Sequence, residues 1–138
     1  MTVLDTNVVS ETLKPSPSGT VLGWLAVQDP ATVFTTTITM AELLYGIEAL
    51  PAGKRRARLF HAIESLFANQ FRARVLPFDE DAARMFPKIV AHRDRLGRTI
   101  SQFDALIASI CRSRGAGVAT RNVRDFEHCG ISIVNPWG

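Results

Sequence analysis

The sequence is informative first for what it lacks. It has only two cysteines, Cys111 and Cys129, among 138 residues, which is too few for a disulfide framework and favours reduced thiols in the cytoplasm. It contains no run of about eighteen apolar residues and no signal-peptide pattern, so we expect no membrane association. The three histidines are scattered, and this excludes the paired ligand spacings of zinc sites. These absences leave a cytoplasmic globular protein.

Neither charge nor composition is extreme. Sixteen lysines and arginines stand against thirteen aspartates and glutamates, a formal net charge of +3. That excess is compatible with a nucleic-acid partner but does not require one. Hydrophobic residues make up 46% of the chain, which excludes a disordered tail and supports one sizeable core. We therefore expect a single domain over residues 1–138.

Short apolar runs alternate with longer helical patterns. Strands are predicted at residues 2–4, 32–38, 74–78, 117–120 and 131–134. Segments with helical spacing lie between them, and Pro87 predicts a kink or an early break in one of these helices. Because strands separated by helices need parallel crossovers, the sequence predicts a three-layer α/β/α domain with a mainly parallel central sheet.

Four acidic residues follow predicted strands or begin predicted helices: Asp5, Glu42, Asp104 and Asp125. In a doubly wound sheet all four should lie towards the carboxyl ends of the strands, where such folds bind ligands. Taken singly, each also has a structural explanation. Glu42 and Asp104 stand at the third position of predicted capping boxes, while the other two acids could cap a helix or lie in a solvated turn.

Together the four carboxylates predict a metal centre. Two like charges about 4 Å apart repel by roughly 4 kcal/mol at an effective dielectric of about 20, so converging carboxylates need a cation or must be partly protonated. Oxygen ligands without a histidine or cysteine cluster select Mg²⁺ or Mn²⁺. Such an ion activates a bound water and neutralises charge on a phosphoryl oxygen. The chemistry indicated is metal-assisted phosphodiester hydrolysis.

Four blocks of the sequence resemble PIN-domain ribonucleases: Leu4–Asn7, Ile38–Ile47, Phe103–Ala108 and Ala119–Phe126. Their order and spacing are most similar to the VapC/FitB type of toxin from bacterial toxin–antitoxin pairs. The likeness covers essentially the whole chain and extends to the closing Asn135–Trp137.

The resemblance implies a Mg²⁺- or Mn²⁺-dependent endoribonuclease toxin. It assigns the acidic metal site to Asp5, Glu42 and Asp104, with Asp125 as the fourth acidic position and Asn122 as an alternative contributor from the same segment. The residues that would line or support the pocket are Thr6, Asn7 and Thr120, and the neighbouring Arg121 is suited to holding a phosphate.

The resemblance also implies partners. These are an RNA substrate, a second copy in a homodimer, and a cognate antitoxin that inserts into the active-site groove. Such antitoxins usually bind DNA, so promoter DNA would be contacted only through the antitoxin.

Two other functions remain open at this point. A haloacid-dehalogenase-like phosphatase also begins with a strand that ends in a nucleophilic aspartate, but it needs an acid two residues later, where this chain has Asn7. In a non-catalytic binding module, the carboxylates would only cap helices and the protein would act through an antitoxin–DNA complex.

Overall fold

Five short strands and seven α-helices alternate along the chain in a computed structural model that describes all 138 residues. The strands are β1 (Thr2–Leu4), β2 (Val33–Thr36), β3 (Val75–Leu76), β4 (Gly117–Ala119) and β5 (Ile133–Val134). The helices are α1 (Thr6–Thr12), α2 (Gly19–Ala26), α3 (Thr37–Glu48), α4 (Lys54–Ser65), α5 (Glu80–Arg95), α6 (Gln102–Ser113) and α7 (Val123–Phe126). A 3₁₀ turn covers Pro30–Thr32, and a π-helical turn covers Leu66–Gln70.

The strands form one parallel sheet in the order β3-β2-β1-β4-β5. The predicted three-layer α/β/α fold with a parallel sheet is therefore confirmed. From β1 the chain moves outwards first to β2 and β3, and later to β4 and β5 on the other side. This reversal puts a topological switch point at the carboxyl end of β1, where open parallel sheets form their binding crevice.

Each face of the sheet is covered by its own apolar cluster. Because successive strand residues point to opposite faces, Val3 packs with residues of α5 and α6, whereas Leu4 packs with residues of α1 and α2. Val118 and Ala119 of β4 divide between the two clusters in the same way. The buried layers fix β1 and β4 from both sides, and so fix the residues that immediately follow them.

The structure differs from three local predictions, on the lengths of β2 and β3 and on the continuity of α5. Strand β2 stops at Thr36 rather than continuing to residue 38, because the Thr36 hydroxyl caps α3 by accepting a hydrogen bond from the Thr39 amide at 3.1 Å. Strand β3 is limited to two residues. Helix α5 runs unbroken past Pro87, since Ala82 and Ile89 anchor it in the core on both sides of the proline; the expected early break is absent.

None of the helices has the length and apolar character needed to cross a membrane. Both cysteines are free and buried, as expected from their number, and burial raises the pKa of both thiols.

Candidate active site

Asp5 lies directly after β1, at the centre of the sheet edge. Its backbone amide still pairs with the Ala119 carbonyl at 2.9 Å, so the sheet ladder holds it in place. Its side chain caps α1, since Oδ1 accepts a hydrogen bond from the Thr6 amide at 2.8 Å. The residue is only 4% exposed. The capping explanation therefore holds for Asp5, and its position at the carboxyl end of β1 is compatible with a role in the site as well.

Glu42 does not cap a helix, which corrects the capping-box explanation for this residue. Helix α3 begins at Thr37 after the cap at Thr36, so Glu42 lies in the second helical turn and is too far along to reach the first amides. Its Oε1 instead accepts a hydrogen bond from the Thr6 hydroxyl at 2.9 Å. Glu42 is half-buried and is tied to the first residue of α1, next to Asp5.

Asp104 lies in the first turn of α6, where the predicted cap is present. The Ser101 hydroxyl accepts a hydrogen bond from the Asp104 amide at 3.2 Å. The carboxylate itself is half-buried. It forms no ion pair with a lysine or arginine. The helix that holds it, α6, is one of the most deeply buried of the domain.

Asp125 and Asn122 lie in the short helical segment after β4. Asn122 is the residue before α7, Asp125 is inside it, and both are exposed. The Asn122 side chain makes no capping bond. Asp125 is close enough to Asp104 for its charge to raise the pKa of that carboxyl. The fourth acid is thus at the outer side of the cluster.

The carboxylates act on one another electrostatically. Burial raises the pKa of Asp5 to about 6, with smaller contributions in the same direction from the charges of Asp104 and Glu42. Burial, followed by the charge of Asp104, raises the pKa of Glu42 against the opposing hydrogen bond from Thr6. Burial also raises the pKa of Asp104. The cluster is therefore an anionic pocket with no salt-bridging cation of its own.

A polar network connects Asp5 to the segment after β4. The Thr120 hydroxyl, which is fully buried, donates to Asp5 Oδ2 at 2.8 Å and accepts from the Asn122 amide at 3.0 Å. The Asn7 amide group donates to both Asp5 Oδ2 and Thr120 Oγ1 at 3.3 Å. Its oxygen accepts from the Arg121 amide at 3.2 Å. These supporting residues thus share one network with Asp5.

Sequence reasoning missed two contributors to this edge. Thr39 places its buried hydroxyl 3.1 Å from that of Thr6, so it supports the residue that binds Glu42. The run of threonines before α3 is the signal that could have indicated it. The Arg121 guanidinium lies over the Trp137 ring, 5.0 Å from the ring centroid. This contact joins distant parts of the chain, so no local pattern predicts it.

The donor set fits a hard divalent cation. All of its charged groups are carboxylates, as Mg²⁺ and Mn²⁺ prefer, and burial together with mutual repulsion raises the pKa values of Asp5, Glu42 and Asp104. No three His, Cys, Asp or Glu side chains stand close enough together to form a complete ligand set.

Comparison with known proteins identifies the family of the chain. The PIN domain family model matches residues 2–130. VapC ribonuclease Y4jK of Sinorhizobium fredii is 42% identical, covering 99% of this chain and 98% of the relative. Toxin FitB of Neisseria gonorrhoeae is 35% identical over 99% of both chains. A solved structure described as FitAB bound to the IR36 DNA fragment superposes with a TM-score of 0.94 at 34% identity, covering 100% of this chain and 96% of the other. The chain belongs to the PIN domain family.

Proposed function

We propose that this protein is a metal-dependent endoribonuclease and the toxin of a toxin–antitoxin pair. The observation that carries the proposal is the coupling of Asp5, Glu42 and Asp104 at the carboxyl end of β1, in a pocket that contains no balancing ion pair. Relatives named as VapC ribonuclease and Toxin FitB support the same activity.

The carboxylates of Asp5, Glu42 and Asp104 would hold a Mg²⁺ or Mn²⁺ ion. Asp125 would complete the acidic edge, with Asn122 as the alternative contributor. When bound, the ion would supply Lewis acidity towards the phosphate and a water of lowered pKa. Thr6 and Thr120 keep two of the carboxylates oriented by donating to them, which reduces the cost of organising the site when the ion binds.

In this proposal Arg121 would hold the RNA backbone. It is exposed, it follows Thr120 at the site edge, and its guanidinium rests on Trp137. A guanidinium held in one position makes directional bonds to a phosphate at a smaller entropic cost than a free side chain. Phe103, just before Asp104, is 54% exposed and offers an aromatic face to an unpaired base.

The proposed partners follow from the same relatives. We propose that a cognate antitoxin occludes the acidic groove, that it carries the DNA-binding part of the complex, and that the toxin is a homodimer. The solved FitAB complex bound to a DNA fragment supports a partner chain and a contact with DNA. The two free cysteines favour a reducing compartment, so we place the activity in the cytoplasm.

The test is cleavage of RNA by the purified protein with Mg²⁺, with Mn²⁺ and with excess chelator. We expect metal-dependent products with 5′-phosphate and 3′-hydroxyl ends, and loss of cleavage in Asp104→Asn. The matched control is Asp94→Asn, which changes an exposed aspartate on α5. A folded wild-type protein that cuts no RNA under any metal condition would instead indicate the non-catalytic binding module. Products ending in a 2′,3′-cyclic phosphate would contradict hydrolysis by water.

A further inference from the structure

Arg93 is a buried arginine that forms no salt bridge, although its charge lowers the pKa of Asp104 against the larger effect of burial. It lies near the end of α5 and is 4% exposed, so it is not available to contact a phosphate of an RNA substrate. No aspartate or glutamate forms a salt bridge with it. A buried guanidinium is costly unless its N–H groups are satisfied. Here five backbone carbonyls accept from it, and the Cys129 thiol lies within its reach as well.

One side of the guanidinium binds the loop that leads into α6. Nε donates to the Arg98 carbonyl at 2.9 Å, and Nη2 donates to the Thr99 carbonyl at 3.1 Å. Thr99 stands two residues before Ser101, the cap of α6. The helix that these residues introduce carries Asp104 in its first turn, so this side of Arg93 fixes how that helix begins.

The other side of the guanidinium binds the end of α7. Nη1 donates to the carbonyls of Arg124 and Asp125 at 3.2 Å and to that of Glu127 at 2.6 Å. The last carbonyls of a helix have no partner within the helix, and a cationic side chain at that end satisfies them. Helix α7 has only four residues and no side-chain cap at its start, so it depends on contacts of this kind.

From this geometry we infer that Arg93 is a positioning residue for the acidic site, in that it joins the segment carrying Asp104 to the segment carrying Asp125. The inference rests on the proposed function. The planar guanidinium fork reaches both segments at once, with Nε and Nη2 on one and Nη1 on the other. A lysine at this position would keep the charge but has one ammonium group, which cannot bind both sets of carbonyls.

The test compares Arg93→Lys with Arg95→Lys, a matched change at an exposed arginine two residues away on the same helix. Mn²⁺ binding without RNA is followed by electron paramagnetic resonance of the free ion, and RNA cleavage is measured in parallel. Loss of a residue that orients metal ligands typically weakens metal affinity by roughly 10- to 100-fold, and we expect that loss in Arg93→Lys only. We expect kcat to fall as well, with KM for RNA little changed, because Arg93 is out of reach of the substrate.

Equal Mn²⁺ affinity in the two variants and the wild type would overturn the inference while leaving the proposed function intact. A wild-type protein that neither binds Mn²⁺ nor cuts RNA would overturn the proposed function and this inference with it. If Arg93→Lys does not fold, nitrogen-15 spectra of the wild-type guanidinium decide. Its N–H signals should exchange slowly and shift when Mg²⁺ is added, and signals that do not move would refute the role of Arg93.

Discussion

The buried hydroxyl of Thr120 donates a 2.8 Å hydrogen bond to Oδ2 of Asp5. The two residues are far apart in sequence but follow neighbouring parallel strands, β4 and β1. The same hydroxyl accepts bonds from Asn7 and from the Asn122 amide. Thr120 therefore fixes the orientation of the central carboxylate and also the start of the segment that carries the fourth acid.

Thr120→Val should damage the site, because valine keeps the shape but removes the hydroxyl. Leaving buried partners unpaired costs about 1–3 kcal/mol of unfolding free energy, and Asp5 would lose its orienting donor. We expect reduced stability in urea unfolding together with weaker Mn²⁺ binding. Thr120→Ser, which keeps the hydroxyl, is the control and should bind Mn²⁺ nearly as the wild type does; equal losses in both variants would contradict this role.

The stability of the metal-free protein should depend on pH through Asp5. Its pKa in the folded protein is about 6, above the ordinary aspartate value of 3.8, mainly because of burial. The folded state therefore binds the proton more tightly than the unfolded state. This contribution to stability is fully present below the unfolded pKa and is lost as pH rises through about 6, at no more than about 1.4 kcal/mol per pH unit.

The measurement is urea unfolding of wild type and Asp5→Asn in the presence of a chelator, from about pH 4.5 to about pH 7.5. The wild type should gain stability relative to Asp5→Asn as the pH is lowered, since only the wild type takes up the extra proton at this position. A difference between the two proteins that is the same at every pH would show that Asp5 titrates normally.

Trp137→Ala should weaken RNA binding while preserving the chemistry. The ring supports the Arg121 guanidinium, and exposed contacts of this type contribute about 0.5–1 kcal/mol, so we expect KM for RNA to rise about two- to fivefold with kcat nearly unchanged. Trp137→Phe retains an aromatic face and serves as the control. A fall in kcat without a change in KM would place Trp137 in a different role.

The order of strands and helices could be predicted from sequence because it depends on local patterns. Apolar runs of strand length and the cap at Ser101 are short-range signals, and parallel crossovers then restrict the topology. The start of α3 is harder to predict, because Thr36 and Thr39 are both suitable caps and only the folded chain shows that Thr36 is the one used. Helix α5 continues through Pro87 because tertiary packing outweighs the local cost of proline.

The candidate site, like the fold, could be predicted from the sequence only in part. The acids could be selected because each follows a strand or begins a helix, and the structure places Asp5, Glu42 and Asp104 within electrostatic range of one another. Their role as metal ligands remains a prediction. The Thr6 bond to Glu42 and the carbonyl contacts of Arg93 join residues distant in sequence, so they could not be derived before the chain was folded in three dimensions.

The most direct test of the central claim is a calorimetric titration of Mn²⁺ into the wild type and into Asp5→Asn, Glu42→Gln and Asp104→Asn. The control is Asp94→Asn, which alters an exposed aspartate on α5. For the wild type and the control, the account predicts binding that grows stronger as the pH rises through about 6 and that releases protons mainly below that pH. It predicts strongly reduced binding by each of the three site variants. Unchanged Mn²⁺ affinity in all three would contradict a metal site built from these carboxylates.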